Sequence, residues 1–466
     1  MSRNVQITYY LSFLLVFSYV IFRGFSLGIT HDEALTYKII QGDEILRDTA
    51  NHHWLNTHLS TFFASLFGAK EFVLRLPNIL SFALFGFYLY RIAKTFLSSS
   101  FTQIALLLLL CGNPFVLDFF SLCRGYGISL ACITASLYYL FIIFQSKENK
   151  QGRNHAFAMV FAVLALASNL NTLNYFLIAL ALVLLNLILT KPKQWIIWFS
   201  GISLVCAITL FFSLDQLFFL KNKNELYYGS GRLSLTIDNM FYSGVHLLES
   251  TFKDISLLRY LLYGFLLLAS VIALRKKRLF NPGAIALIVL ASIVLALFLE
   301  HLLFDALYPI GRSTLYLYPV ILLTLLLNLD GIRANIFRVG VLSISWLFVL
   351  NNLFDLYTFR NKTITWAEDQ HVKEGMLLVK KNIRDQATHT ISCTWIYEPM
   401  INYYRQEYEV PVHAVFRDGI NDSSEYTFAQ STEPVLWENV RIERYLLCHP
   451  KECGLVVYKN QVTAAN

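Results

Sequence analysis

Apolar residues in this chain fall into runs of about 20, the length that crosses a bilayer core, rather than into the short periodic segments of a soluble domain. The first run covers 6–28. A polar, amphipathic stretch, 29–75, parts it from the second at 76–97, where Pro77 suits a first helical turn. Others follow at 101–120, 125–145, 155–169, 173–190, 195–219, 257–274, 283–304, 313–329 and 338–354, so the pattern predicts about eleven transmembrane helices. A tight turn containing Arg124 joins the third to the fourth, and Ser-Asn-Leu-Asn-Thr-Leu-Asn parts the short fifth from the sixth. Residues 5–27 exceed the roughly 7–15 apolar residues of a signal-peptide core, and a weak cleavage site follows, so the first run reads as a retained helix.

The pattern changes after 355. Trp366–Asn382 reads as an amphipathic helix with Val372, Met376, Leu377 and Val379 near one face, and Thr390–Ile396 alternates like a strand. Glu398–Tyr408 reads as a second helix, and Tyr408–Phe416 and Leu455–Tyr458 as further strands. The expected fold is an all-α polytopic membrane region, 1–355, with outer loops 29–75 and 220–256, followed by a small α/β soluble domain, 356–466.

Charge gives the loops their sides. One alternating set holds Lys147, Lys150 and Arg153; Lys191 and Lys193; Arg275, Lys276, Lys277 and Arg278; Arg333 and Arg338. Short loops rich in Lys and Arg stay cytoplasmic, and with them the N-terminus. The other set comprises 29–75, the turn near 121–124, Ser168–Asn174, 220–256, 300–312 and the C-terminal domain, which places the working face outside: for a bacterial protein, the periplasmic face of the inner membrane. Composition agrees, with 56% hydrophobic residues, 15% charged and a mean hydropathy of +0.51. Much of the basic excess behind the net charge of +7 lies in the short loops, so it reads as topology, not as a nucleic-acid footprint. Of seven cysteines, Cys111, Cys123, Cys132 and Cys206 read as packing residues, while Cys448 and Cys453 can close a small disulfide loop in an oxidising compartment or stay free.

Candidate chemistry begins where the first run leaves the lipid, at Gly28-Ile-Thr-His-Asp-Glu-Ala-Leu-Thr-Tyr37. Adjacent carboxylates beside a bilayer are costly unless they face water, a partner or a substrate. Asp32 and Glu33 can act in catalysis, or can simply cap the next helix, whose N-terminus favours acidic residues. His52, His53 and His58 can hold a metal, or can belong to a polar interfacial helix with Trp54 at the headgroups; substrate contact by His53 is the stronger functional reading. Arg75 before Pro77, Arg124 before Gly125-Tyr126, and Arg312 near Tyr308, Tyr316 and Tyr318 all fall on the outer set. Arginine gives multidentate contacts to phosphate, although each could instead snorkel to headgroups. Gly229-Ser-Gly231 suggests a mobile lid in the loop 220–256. A phosphate-binding Gly-rich loop with Lys is missing, as is a Gly-x-Ser-x-Gly elbow, which argues against nucleotide hydrolysis and serine hydrolase chemistry.

The order of these motifs resembles the polyprenol-phosphate-sugar-dependent glycosyltransferases of the GT-C fold, in particular the protein O-mannosyltransferase and aminoarabinose-transferase branch (family 39-like). The resemblance rests on Asp32-Glu33 after the first span, a His-containing segment some twenty residues later, Arg75-Leu-Pro77, Arg124-Gly-Tyr126, and Gly311-Arg-Ser-Thr-Leu-Tyr-Leu-Tyr-Pro319. It departs where many relatives have His-Pro-Pro in place of His52-His53-Trp54, and where Ser313 rather than Tyr follows Arg312. The resemblance implies an inverting glycosyltransferase that moves a sugar from a polyprenyl-phosphate-linked donor to a protein, lipid or glycan hydroxyl. Asp32 would be the general base and Glu33 would orient the acceptor or an arginine partner. Arg75, Arg124 and Arg312 would hold the donor phosphate; His53, Tyr126, Tyr308 and Tyr316 would contact substrate. No cofactor is required on this reading, with a divalent metal left open. The alternatives are a transporter or flippase of a lipid-linked glycan, and a non-catalytic membrane subunit.

Overall fold

The computed structural model describes residues 1–49, 53–145, 152–244, 256–275, 280–330, 335–384, 387–421, 424–430, 442–445 and 455–460. The chain forms two compact units. A helical unit comprises Met1–Phe22, Leu46–Ser60 and Arg75–Phe359, and a mixed unit comprises Arg23–Ile45, Thr61–Leu74 and Arg360–Asn466.

Each of the eleven apolar runs falls on a helix or a bent helix pair. Seven described helices are long and apolar enough to span a membrane: α1 (Arg3–Ser26), α4 (Glu71–Phe96), α7 (Tyr126–Gln145), α9 (Leu173–Thr190, with its lead-in from Leu170), α10 (Trp195–Asn222), α12 (Ser256–Arg275) and α13 (Pro282–Phe304). An eighth is α5 (Ser100–Cys111) with α6 (Pro114–Phe120), bent by 59°. The bend has a local cause: Asn113 accepts the Val116 N–H at 3.1 Å and Pro114 brings no N–H, so the chain restarts as a new helix. Two shorter apolar helices, α8 (Arg153–Ser168) and α14 (Leu317–Leu329), and α15 (Asn335–Thr358) cover the remaining runs. The chain is a multi-pass membrane protein. The tenth run starts later than expected, because Gly311–Thr314 forms a separate 3-10 turn before α14.

Contacts inside the helical unit join loops that the charge pattern puts on one side. From the outer set, His53 Nδ1 meets the Ser168 carbonyl at 2.8 Å, Asn174 donates to Glu300 at 3.1 Å, and Ser230 pairs with Tyr308 through backbone bonds of 2.9 and 2.8 Å. At the opposite ends, Asp330 accepts the Ser98 and Ser99 N–H groups at 2.6 and 3.1 Å, and His155 meets Asn186 at 2.8 Å. In the Gly-Ser-Gly segment, Ser230 forms an isolated bridge to Tyr308 ahead of α11 (Leu233–Gly244). Lys147, Lys150, Lys276, Lys277, Arg278, Arg333, His52 and the pair Cys448–Cys453 lie outside the described residues.

The mixed unit contains α2 (His31–Gln41), α16 (Gln370–Asn382), α17 (Glu398–Glu407) and a four-stranded sheet in the order β1-β2-β4-β3, with β1 Ile391–Cys393, β2 Tyr426–Gln430, β3 Ile442–Tyr445 and β4 Leu455–Asn460. β1 and β2 are parallel and the remaining pairs antiparallel. Val372, Met376 and Val379 of α16 are buried, as expected of its apolar face, while Leu377, expected beside them, is 44% exposed. The helix begins at Gln370, not Trp366, because Trp366–Asp369 forms a turn held by Thr363, whose hydroxyl accepts the Trp366 N–H at 3.1 Å. Tyr408–Phe416 is not a strand: Pro411 brings no donor and only Val412 pairs, as an isolated bridge to His389. β1 is shorter than expected and buried on both faces.

α2 lies on α17. Lys38 Nζ is 2.7 Å from Glu398, Tyr37 donates to Gln406 at 2.7 Å, and its ring stands edge-on to Tyr403 at 4.9 Å. Residues 29–75, assigned from sequence to the membrane region, are thus divided between the two units.

Candidate active site

Thr30 ends an extended run and starts α2. Its hydroxyl accepts the Glu33 N–H at 3.4 Å, while Glu33 accepts the Thr30 N–H at 3.0 Å. This reciprocal capping box is what Thr-x-x-Glu encodes. Glu33, 1% exposed, therefore has the capping role, and Asp32, 4% exposed, does not share it. The neighbours differ because consecutive helical residues point about 100° apart.

Side chains hold the backbone ahead of Asp32. Gly28 N–H donates to Gln370 Oε1 at 3.3 Å, Ile29 N–H to the Tyr404 hydroxyl at 2.7 Å, and His31 N–H to Asp369 Oδ2 at 2.7 Å. Tyr404 in turn donates to Glu71 at 2.6 Å, and Lys373 lies 3.0 Å from the same carboxylate. The His31 ring bonds the Ile396 carbonyl at 2.6 Å and stands edge-on to Trp395. Burial holds His31 below its ordinary pKa, opposed by that carbonyl and by Asp32. Burial pushes the Asp369 carboxyl up to about 8; the His31 N–H opposes the rise, and the charges of Asp32, Glu368 and Glu33 add to it.

In the helical unit, Arg75 and Arg124 are fully buried, each with a polar or electrostatic partner, so neither snorkels to a headgroup layer. The turn that presents Arg124 depends on Gly125, where a Cβ would sit 1.9 Å from the Ser168 carbonyl and 2.7 Å from His53 Nδ1. His53 is thereby brought against Tyr126, with ring centroids 4.8 Å apart, and Tyr126 rests on Phe119 at the same distance. Arg312 is half-buried with its guanidinium 5.6 Å from the Tyr228 ring centre. The Tyr308 ring lies tilted against His301, with centroids 4.5 Å apart. The hydroxyl of Tyr316, 1% exposed, has no hydrogen-bond partner among the described residues. His58 bonds its own helix at the Trp54 carbonyl, and no group of three or more metal-ligating side chains occurs among the described residues.

The structure thus joins His53 with the Arg124–Tyr126 turn, and Arg312 with Tyr228, while Asp32 and Glu33 belong to the mixed unit. Asp369, Gln370, Tyr404 and Glu71 were not visible as site neighbours in the sequence, since they are 333–375 residues from their hydrogen-bond partners and sit in no motif.

Residues 52–213 match the family described as dolichyl-phosphate-mannose-protein mannosyltransferase. No curated protein matches the chain in sequence. Among solved structures, ArnT from Cupriavidus metallidurans bound to undecaprenyl phosphate superposes with a TM-score of 0.57 and 11% identity, over 100% of both chains. The apo state of that protein gives 0.56 and 10%, over 97% of this chain and 98% of the other. The chain has the GT-C fold seen in ArnT, and its residues 52–213 resemble the dolichyl-phosphate-mannose-protein mannosyltransferases.

Proposed function

We propose that this chain is an inverting glycosyltransferase that takes a sugar from a polyprenyl-phosphate carrier and delivers it to a hydroxyl at the periplasmic face of the bacterial inner membrane. The observation that carries the reading is a buried carboxylate, Asp32, 4% exposed on the first turn of α2 beside the Glu33 of the capping box. Asp32 as general base accounts for it. The acceptor oxygen attacks the anomeric carbon as Asp32 takes its proton, and the bond from that carbon to the phosphate oxygen breaks with its electrons on the leaving lipid phosphate. A phosphate is a weak base, so it departs without a general acid. Arg75, Arg124 and Arg312 stabilise its developing charge. His53, Tyr126, Tyr308 and Tyr316 contact sugar or acceptor; the Tyr316 hydroxyl has no hydrogen-bond partner among the described residues.

The fold shared with ArnT, which binds undecaprenyl phosphate, supports the lipid donor. So does an apolar cavity of about 190 Å³ in the helical unit, lined by Leu109, Met240, Phe265, Tyr318, Leu322 and Phe348, which suits isoprenoid units of the tail. Mass spectrometry of glycans and glycolipids from a deletion strain, with and without the wild-type gene restored, tests the function. Loss of one sugar modification with accumulation of its polyprenyl-phosphate donor is expected; an unchanged glycan and lipid profile contradicts the reading.

A further inference from the structure

The approach to Asp32 is held more firmly than a helix start requires. Four consecutive residues, Gly28 to His31, each give their N–H to a side chain. One acceptor, Glu33, belongs to the capping box. The other three, Gln370, Tyr404 and Asp369, come from the start of α16 and from α17, more than 330 residues away in sequence. The capping box satisfies two donors of the helix terminus, those of Thr30 and Glu33; Asp369 takes the N–H of His31 at the first helical position, and the Gln370 and Tyr404 bonds act on the chain in front of the helix.

Their geometry is well supported. Asp369 is 2% exposed and Tyr404 fully buried. The Tyr404 hydroxyl accepts from Ile29 and donates to Glu71, whose charge is met by Lys373, so the acceptor oxygen is fixed from behind. The approach is close: a Cβ on Gly28 would lie 3.2 Å from the Tyr404 hydroxyl and 3.3 Å from the Gln370 carbonyl. At the far end of α2, Lys38–Glu398 and Tyr37–Gln406 tie the helix to α17. The helix carrying Asp32 is thus held at its entry and at its last turns by the same α/β fold.

We infer that the C-terminal α/β fold sets the direction of the catalytic base, with Tyr404 and Asp369 as positioning residues that lock the backbone of 28–31. The inference rests on the reading of Asp32 as base. A base must lie within hydrogen-bond reach of the proton it takes, and small errors of placement are amplified in rate. This gives the C-terminal fold a part in turnover that needs no contact of its own with substrate.

The test uses full-length protein in proteoliposomes, with the polyprenyl-phosphate sugar that accumulates in the deletion strain as donor and membranes of that strain as acceptor. Rates are taken per folded protein, for wild type, Asp32→Asn, Tyr404→Phe, Asp369→Ala and Asp369→Asn. Tyr404→Phe keeps the ring and deletes only the hydroxyl; it should lower kcat about tenfold, the equivalent of about 1.4 kcal/mol, with the donor KM within about twofold. Asp369→Ala should behave alike, and Asp369→Asn, which still offers an oxygen to the His31 N–H, should restore most of the rate. Amide exchange at 28–31, which needs no donor, should rise in Tyr404→Phe and Asp369→Ala. Wild-type kcat in both, beside an inactive Asp32→Asn, overturns the positioning role alone. An active Asp32→Asn overturns the base assignment on which it rests. Unchanged exchange at 28–31 removes the lock itself.

Discussion

The carboxyl of Asp369 has no oppositely charged partner among the described residues; it accepts a backbone N–H and faces the charges of Asp32, Glu368 and Glu33. That environment favours its neutral form and raises its pKa to about 8. An unfolded aspartate titrates near 3.9. Between these values the folded protein keeps a proton that the unfolded chain has lost, so stability falls as pH rises through this window and the loss is complete above it. His31, lowered by burial, acts in the opposite sense and only below about 6.5. The thermal midpoint of the full-length protein in detergent should therefore fall from about pH 6.5 to about pH 9, and Asp369→Asn should flatten the fall. An equal slope in the variant would place the titrating group elsewhere. The Asn variant keeps the acceptor for His31, so it isolates the proton from the hydrogen bond.

Among the elements, the Arg124–Tyr126 turn tolerates least change. Gly125 lets the chain pass the Ser168 carbonyl and leaves room for His53, whose ring then bonds that same carbonyl. Gly125→Ala puts a methyl where the backbone of α8 lies, and neither backbone can yield cheaply; a destabilisation of about 3 kcal/mol or more is expected. Size-exclusion profiles of detergent-solubilised variants should show loss of the monodisperse species, and a wild-type profile with full activity would mean that the turn relaxes freely. The turn itself was legible in the sequence, as a Gly and a Tyr beside an arginine between two apolar runs. Its partner was not, because nothing in the local pattern of Ser168 announces contact with residues 53 and 125. The same limit applied to β2. Tyr426–Ala429 is buried on both faces, so the alternation that reveals a half-exposed strand is absent. At Tyr408–Phe416 the error ran the other way, with a strand-like composition interrupted by Pro411. Capping, by contrast, was written in Thr30-x-x-Glu33, but the pattern could not say which carboxylate of the pair it would occupy.

At the level of the whole molecule, hydropathy and the basic loops were enough to place all eleven runs on helices, because a bilayer imposes length and charge bias more strictly than water does. The contacts His53–Ser168, Asn174–Glu300 and Ser230–Tyr308 join loops of one set, as the even number of spans between each pair requires. Cysteine labelling tests the sidedness. The described cysteines, Cys111, Cys123, Cys132, Cys206 and Cys393, are free and buried, so background should be low once Cys448 and Cys453 are replaced by Ser. Asn224→Cys should react with a membrane-impermeant maleimide in intact spheroplasts, and Lys191→Cys only after lysis. The reverse pattern would invert the topology and move Asp32 to the cytoplasmic side.

The central claim is that Asp32 takes the proton of the acceptor hydroxyl. Its most direct test is the initial rate of sugar transfer by Asp32→Asn in proteoliposomes, beside wild type and at equal amounts of folded protein. General-base catalysis contributes about 10²–10⁴ in rate, so transfer should fall by at least about a hundredfold while the variant stays folded. Transfer by Asp32→Asn at the wild-type rate would contradict the account.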